Sequence, residues 1–162
     1  MPIAAPFCAV RRVAGDSAYD LDLPEGTPID RRSIFTDCVH EADRFKWIES
    51  EKAGRDLGEG AIKNWVQHHW WGYLRARWLE HLQGNTFWME LDRGDFGLLR
   101  HDFTNHRDLL DQIVELLKDG QENLGVIAWA TRCRLDLDPV IQILEALDIN
   151  SRRLVHQFDC VR

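Results

Sequence analysis

From Ala61 to Leu82 the chain reads AIKNWVQHHWWGYLRARWLEHL, and this segment limits what the rest can fold into. At 100° per residue its apolar groups do not gather into one stripe. Ile62, Trp65, Val66, Tyr73 and Ala76 cover one side of a helix, and Trp71, Leu74, Trp78 and Leu82 cover the other. A helix that is apolar most of the way round has to be enclosed, either as the central post of its own domain or beneath another chain. Gly84-Asn85 supplies a stop signal at its C-terminal end. The fold expected is mainly α (α+β), a helical bundle around this long Trp-rich helix.

The flanking segments fill in that expectation. Ser33 or Thr36 can cap a preceding helix that runs to Lys52 and gathers Cys38, Ala42, Phe45 and Ile48 near one face. Between the two helices, AGRDLGEG carries three glycines, each costing a helix about 1 kcal/mol relative to alanine. Residues 33–84 therefore read as a helical hairpin or a kinked helix. Thr86–Leu91 alternates, with Phe87, Met89 and Leu91 on one face and Thr86, Trp88 and Glu90 on the other. A polar turn, Asp92-Arg93-Gly94-Asp95, and a second apolar run, Phe96-Gly97-Leu98-Leu99, follow it. That sequence predicts a β-hairpin.

Three amphipathic stretches come next: Asp108–Lys118, Glu122–Cys133 and Asp138–Leu147, the last with Asp138 as cap and Pro139 at the first helical position. Arg153–Val161 alternates loosely and reads as a third strand against the hairpin. Residues 85–162 thus predict a hairpin plus a trihelical, winged-helix-like unit. Residues 1–32, with Pro2, Pro6, Pro24 and Pro28, read as an extended N-terminal arm, ordered only by packing on its own domain or on a partner. A chain of 162 residues fits one compact domain overall.

Charge and cysteine usage exclude several classes of function. A formal net charge of −7, with Lys and Arg interleaved among Asp and Glu, makes nucleic acid an unfavourable partner. No stretch approaches the roughly 18 consecutive apolar residues of a membrane span. Met1–Val10 lacks a basic leader, and Arg11-Arg12 follow it rather than precede it. Cys8, Cys38, Cys133 and Cys160 form no CxxC pair, as expected of reduced thiols in the cytoplasm.

Four constellations carry possible chemistry. Glu41, Glu49, His69, Glu80 and His81 are metal-ligand types, but no Glu-x-x-His pair occurs, and adjacent residues diverge by about 100°. His69 and Glu80 share a side but stand about 16 Å apart along the axis, too far for one ion. A haem against the Trp-rich helix lacks an attachment motif, so no cofactor is expected. The set Trp65, His68, His69, Trp70, Trp71, Tyr73, Arg75 and Trp78 has the composition of a core or a protein-interface hot spot. Base stacking is the poorer reading, because basic charge is sparse.

The 129–144 stretch has helix-turn-helix spacing, and a DNA-binding regulator would assemble Arg100, Arg107, Arg132, Arg134, Arg152 and Arg153 into a basic face. Its supposed recognition helix, DPVIQILEALD, offers no cation for phosphate. Asp92 and Asp95 flank a turn, which explains them without catalysis. No phosphate loop or nucleophile elbow is present. The sequence therefore points to a non-catalytic accessory or regulatory protein that binds another protein, or a second copy of itself, through the Trp/His helix and the arm. A winged-helix-like transcriptional regulator and a metal- or haem-binding helical protein are the alternatives.

Overall fold

The computed structural model describes residues 28–161. Most of the arm expected at 1–32 therefore lies outside the described residues. Two long helices form an antiparallel pair: α1, Ile34–Ala53, and α2, Glu59–Gln83. Gly54 ends α1 at φ 66°, and Gly58 precedes α2 at φ 58°. Both conformations cost an L side chain, so the glycines separate two helices rather than bending one. The antiparallel register shows in the pairs Phe45 with His69 and Asp37 with Tyr73 and Arg77.

Both long helices borrow their caps from distant residues. Ser33 makes no side-chain cap of its own at α1. Instead the Glu90 carboxylate accepts from the Ile34 N–H at 2.8 Å and from the Ser33 hydroxyl. At the same end of the pair, Gly84 stops α2 at φ 76°. Arg100 donates to the Gln83 and Gly84 carbonyls at 2.9 and 3.0 Å, a cation on the negative end of the helix.

The β part is small and parallel. β1, Arg31–Arg32, pairs with β2, Phe87–Trp88, in the register Arg31 to Phe87 and Arg32 to Trp88. The hairpin expected at 86–99 does not form. Burial does not separate the two faces of the alternation: Trp88 and Leu91, from opposite faces, are both buried, and Met89 is exposed. Asp92 and Asp95 accept from backbone N–H groups in the turn, at Gly94 and Arg93. Gly97 adopts φ 72° and opens a short helix, α3, Leu98–His101, where the second strand was expected.

α4, Arg107–Lys118, α5, Asn123–Arg132, and α6, Leu137–Leu147, pack on one another as the expected trihelical unit, and α4 packs on α2. The cap of α6 is Asp136, whose carboxylate accepts from Asp138 N at 3.1 Å. Pro139 therefore sits within the first turn, where its missing N–H costs nothing.

No wing completes this unit among the described residues. Residues 153–158 belong to no helix or strand and lead into a 3₁₀ turn, Asp159–Val161. Their alternation is real, with Leu154, His156 and Phe158 half-buried between exposed neighbours. They lie against α2, not against a strand. The Leu154 carbonyl accepts from the Trp70 indole at 2.8 Å, His156 meets the Trp70 ring edge-on, and Phe158 meets Trp65.

Candidate functional site

The structure divides the aromatic set. Trp65, Trp70, Tyr73 and Trp78 are buried by their own chain. Two buried indoles of α2 donate to backbone carbonyls at and beyond the end of α6: Trp78 to Leu147 at 2.7 Å, and Trp70 to Leu154 at 2.8 Å. His68, His69 and Trp71 face solvent, with Trp71 49% exposed, and Arg75 is half-buried. α2 is thus the central post of its domain on most sides, with one open strip running from Lys63 through Gln67 and His68 to Trp71 and Gly72.

At the end of that strip a cleft of ≈ 370 Å³ opens between α2, the start of α5 and the chain that follows α6. Trp71, Leu74, Arg75 and Trp78 line it from α2, with Glu122 at α5 and Ile149, Asn150, Arg152 and Arg153 opposite. Two arginine–tryptophan stacks make its walls. Arg152 lies over the Trp78 ring with its guanidinium carbon 3.7 Å from the centroid, and Arg153 lies over Trp71 at 5.3 Å. Trp71 and Trp78 are two helical turns apart, so one face of α2 carries both rings. Arg75 pairs with Glu122 at 2.6 Å across the cleft.

The inner stack is anchored from behind. Arg152 donates to Asp95 at 2.6 Å and to the Leu91 carbonyl at 3.2 Å. Asp95 in turn lies 3.7 Å from His81 Nε2, which contacts Asp92 at 3.2 Å. His81 is fully buried and stacks on Trp78 at 5.7 Å. Its other nitrogen, Nδ1, receives the Trp88 backbone N–H at 3.0 Å. Desolvation by burial lowers the His81 pKa below 6.5, against the pull of Asp92 and Asp95.

His81, Asp92 and Asp95 bring their ligand atoms within 4.8 Å of one another. Two observations argue against an ion there. With Nδ1 accepting from Trp88, the proton of the neutral ring sits on Nε2, so Nε2 donates to Asp92 and has no lone pair for a metal. The Arg152 guanidinium also already neutralises Asp95. The trio is a structural brace, reached by none of the spacing arguments that grouped its members apart.

The metal set expected from the sequence does not converge. Glu41 and Glu80 both pair with Arg77, at 3.6 and 2.9 Å, Glu49 pairs with Lys52, and His69 is exposed far from buried His81. Arg77 also meets Asp37 at 3.3 Å, and Asp37 accepts from the Tyr73 hydroxyl at 2.8 Å. Burial, and then that carboxylate, push the Tyr73 hydroxyl far above its ordinary pKa. This network locks α1 to α2 and stays out of the cleft.

Of the six arginines expected to form a basic face, Arg100 is committed to the end of α2, Arg107 donates to the Arg100 carbonyl at 3.0 Å and Arg152 is buried, whereas Arg132, Arg134 and Arg153 are exposed. Conversely, sequence reasoning overlooked Trp47, which stands 65% exposed on α1. It follows Phe45 by two residues, about 200° round the helix, and that angle places it on the solvent side.

The cleft lining holds no nucleophile and no free acid–base pair among the described residues, since its one carboxylate, Glu122, is engaged by Arg75. The lining offers planar aromatic surface, apolar side chains and guanidinium groups. No protein-family model matches the chain, and comparisons with curated proteins and with solved structures gave no match.

Proposed function

We propose that the protein is a non-catalytic accessory or regulatory subunit that binds another protein through the open strip of α2 and the cleft at its end. The observation that carries this reading is Trp71. Of the tryptophans on α2 it alone is exposed, and it forms the mouth of the cleft with Arg153 stacked on it. Tryptophan and arginine at the rim of an apolar hollow are the residues that dominate protein–protein contacts. Three thiols, Cys38, Cys133 and Cys160, are unpaired, which supports a reducing compartment such as the cytoplasm. Among the described residues no helix is long and apolar enough to cross a membrane.

The test places a photo-crosslinking amino acid at position 71 in cells, with position 155 as an exposed control remote in character. A discrete crosslinked product at 71 that is missing at 155 supports the reading, and a product of twice the chain's mass identifies the partner as a second copy. Identical patterns, or no product at 71, sink it.

A further inference from the structure

The two stacks that wall the cleft are built alike and finished differently. In each, an arginine lies on a tryptophan of α2, and the arginines are neighbours in sequence. An arginine stacked on an indole uses the face of its guanidinium, which leaves the N–H edge to meet an acceptor in its plane. For the inner stack that acceptor is the chain's own Asp95 carboxylate, 2.6 Å from Arg152. For the outer stack, Arg153 donates through Nε to the Asn150 carbonyl at 3.4 Å. Among the described residues no carboxylate pairs with it.

We infer that the outer stack takes a carboxylate from the partner: an Asp or Glu side chain of the docked segment engages the edge of Arg153 as Asp95 engages Arg152, and an apolar neighbour in that segment enters the cleft against Trp71 and Ile149. The inference rests on the docking reading above and names the chemistry of what docks. Charge supports it. Of the three arginines in the lining, Arg75 is balanced by Glu122 and Arg152 by Asp95, which leaves the charge of Arg153 uncompensated by a carboxylate among the described residues, on a molecule whose net charge is −7. The cleft is thus a local positive site on an acidic protein, which steers an acidic segment to this place and repels it elsewhere. The apolar part of the lining selects against a bare anion, because an ion alone leaves Trp71 and half-buried Ile149 facing water.

The experiment titrates the full chain with a fluorescein-labelled octapeptide alternating Glu with Leu, read by anisotropy and by tryptophan fluorescence. The same peptide with Gln for Glu, and inorganic phosphate, are the comparison probes. Saturable binding of the Glu peptide is expected, with the Gln peptide about tenfold weaker or worse. Arg153→Glu is expected to abolish binding, Trp71→Ala to weaken it by a similar factor, and Arg153→Lys to recover only part of it, because an ammonium lacks the planar fork. Both positions are exposed, so circular dichroism should show the variants folded. Equal binding of the Gln peptide, full recovery in Arg153→Lys, or an unchanged Arg153→Glu variant overturns the proposal. Displacement by millimolar phosphate also overturns it, in favour of a phosphate-bearing ligand. A crosslink at position 71 without peptide binding defeats this chemistry alone, whereas failure of both defeats the docking reading too.

Discussion

The Trp88 backbone N–H donates to Nδ1 of His81 across 3.0 Å, and that bond decides which protonation states the buried ring can adopt. A second proton on the ring would set an N–H of His81 against the N–H of Trp88. Burial opposes the charge as well and holds the pKa below 6.5. In the unfolded chain the same imidazole takes its proton near pH 6.5. The unfolded state therefore binds more protons between the two values, and stability falls as pH falls. His81 contributes its full share above about pH 6.5 and loses it as pH drops toward the folded value. Urea midpoints at about pH 7.5 and about pH 5.5 check this. The wild-type chain should lose stability over that step, and His81→Gln, which can accept from Trp88 and donate to Asp92 without titrating, should lose less.

The same tautomer makes a prediction about metals. Nε2 carries the proton and Arg152 holds Asp95 at 2.6 Å, so the trio of His81, Asp92 and Asp95 should refuse a divalent cation. Added zinc or manganese should leave the melting temperature unchanged at neutral pH. A rise in melting temperature that disappears in His81→Gln would show that the ring can turn its lone pair outward, and would refute the tautomer assigned here.

Arg152 and Asp95 form a nearly buried pair with the guanidinium over Trp78. Removing one partner leaves the other's charge stranded, which costs about 3–5 kcal/mol in comparable buried pairs. Asp95→Ala should therefore destabilise the fold by that order in a denaturant titration. Arg152→Met alone should do the same from the other side. The double variant should be less unstable than the sum of the two, because no charge is left without its partner. Strict additivity would mean that the pair does not act as a unit.

How far these relationships could be read beforehand depended on the range over which they act. α1, α2 and α4–α6 were legible because glycines and apolar spacing are local signals. The parallel pairing of Arg31–Arg32 with Phe87–Trp88 was not, since two-residue strands far apart in sequence leave no alternation to detect. Alternation misled at 86–91, where Trp88 and Leu91 from opposite faces are both buried, and again at 153–160, where it records a chain lying on a helix rather than a ladder. Period two reports which side is covered and says nothing about what covers it. For the cleft, Trp71, Arg75 and Trp78 were readable as members of one helix. Arg152 and Arg153 reach that helix only through the path of the chain after α6, and as bare residues they were grouped with a basic face from which burial removes Arg152. His81, Asp92 and Asp95 were each visible, but their meeting depends on the turn that replaced the hairpin.

The cysteines differ enough in setting to separate by reactivity. Cys38 is buried on α1, and desolvation by burial, reinforced by Asp37, pushes its thiol pKa up to about 11. The thiolate is the reacting species, so at mildly alkaline pH Cys38 holds almost none of it. Cys133 is exposed just past the end of α5 and Cys160 is half-buried in the final turn. Among the three cysteines of the described residues, iodoacetamide applied to the native protein should modify Cys133 first, Cys160 more slowly and Cys38 last, with peptide mass spectrometry reading each site. In denaturant Cys38 should lose its protection and react at the rate of an ordinary thiol. Early labelling of Cys38 in the native protein would mean that α1 separates from α2 on the timescale of the reaction, which the network of Asp37, Tyr73 and Arg77 is arranged to prevent.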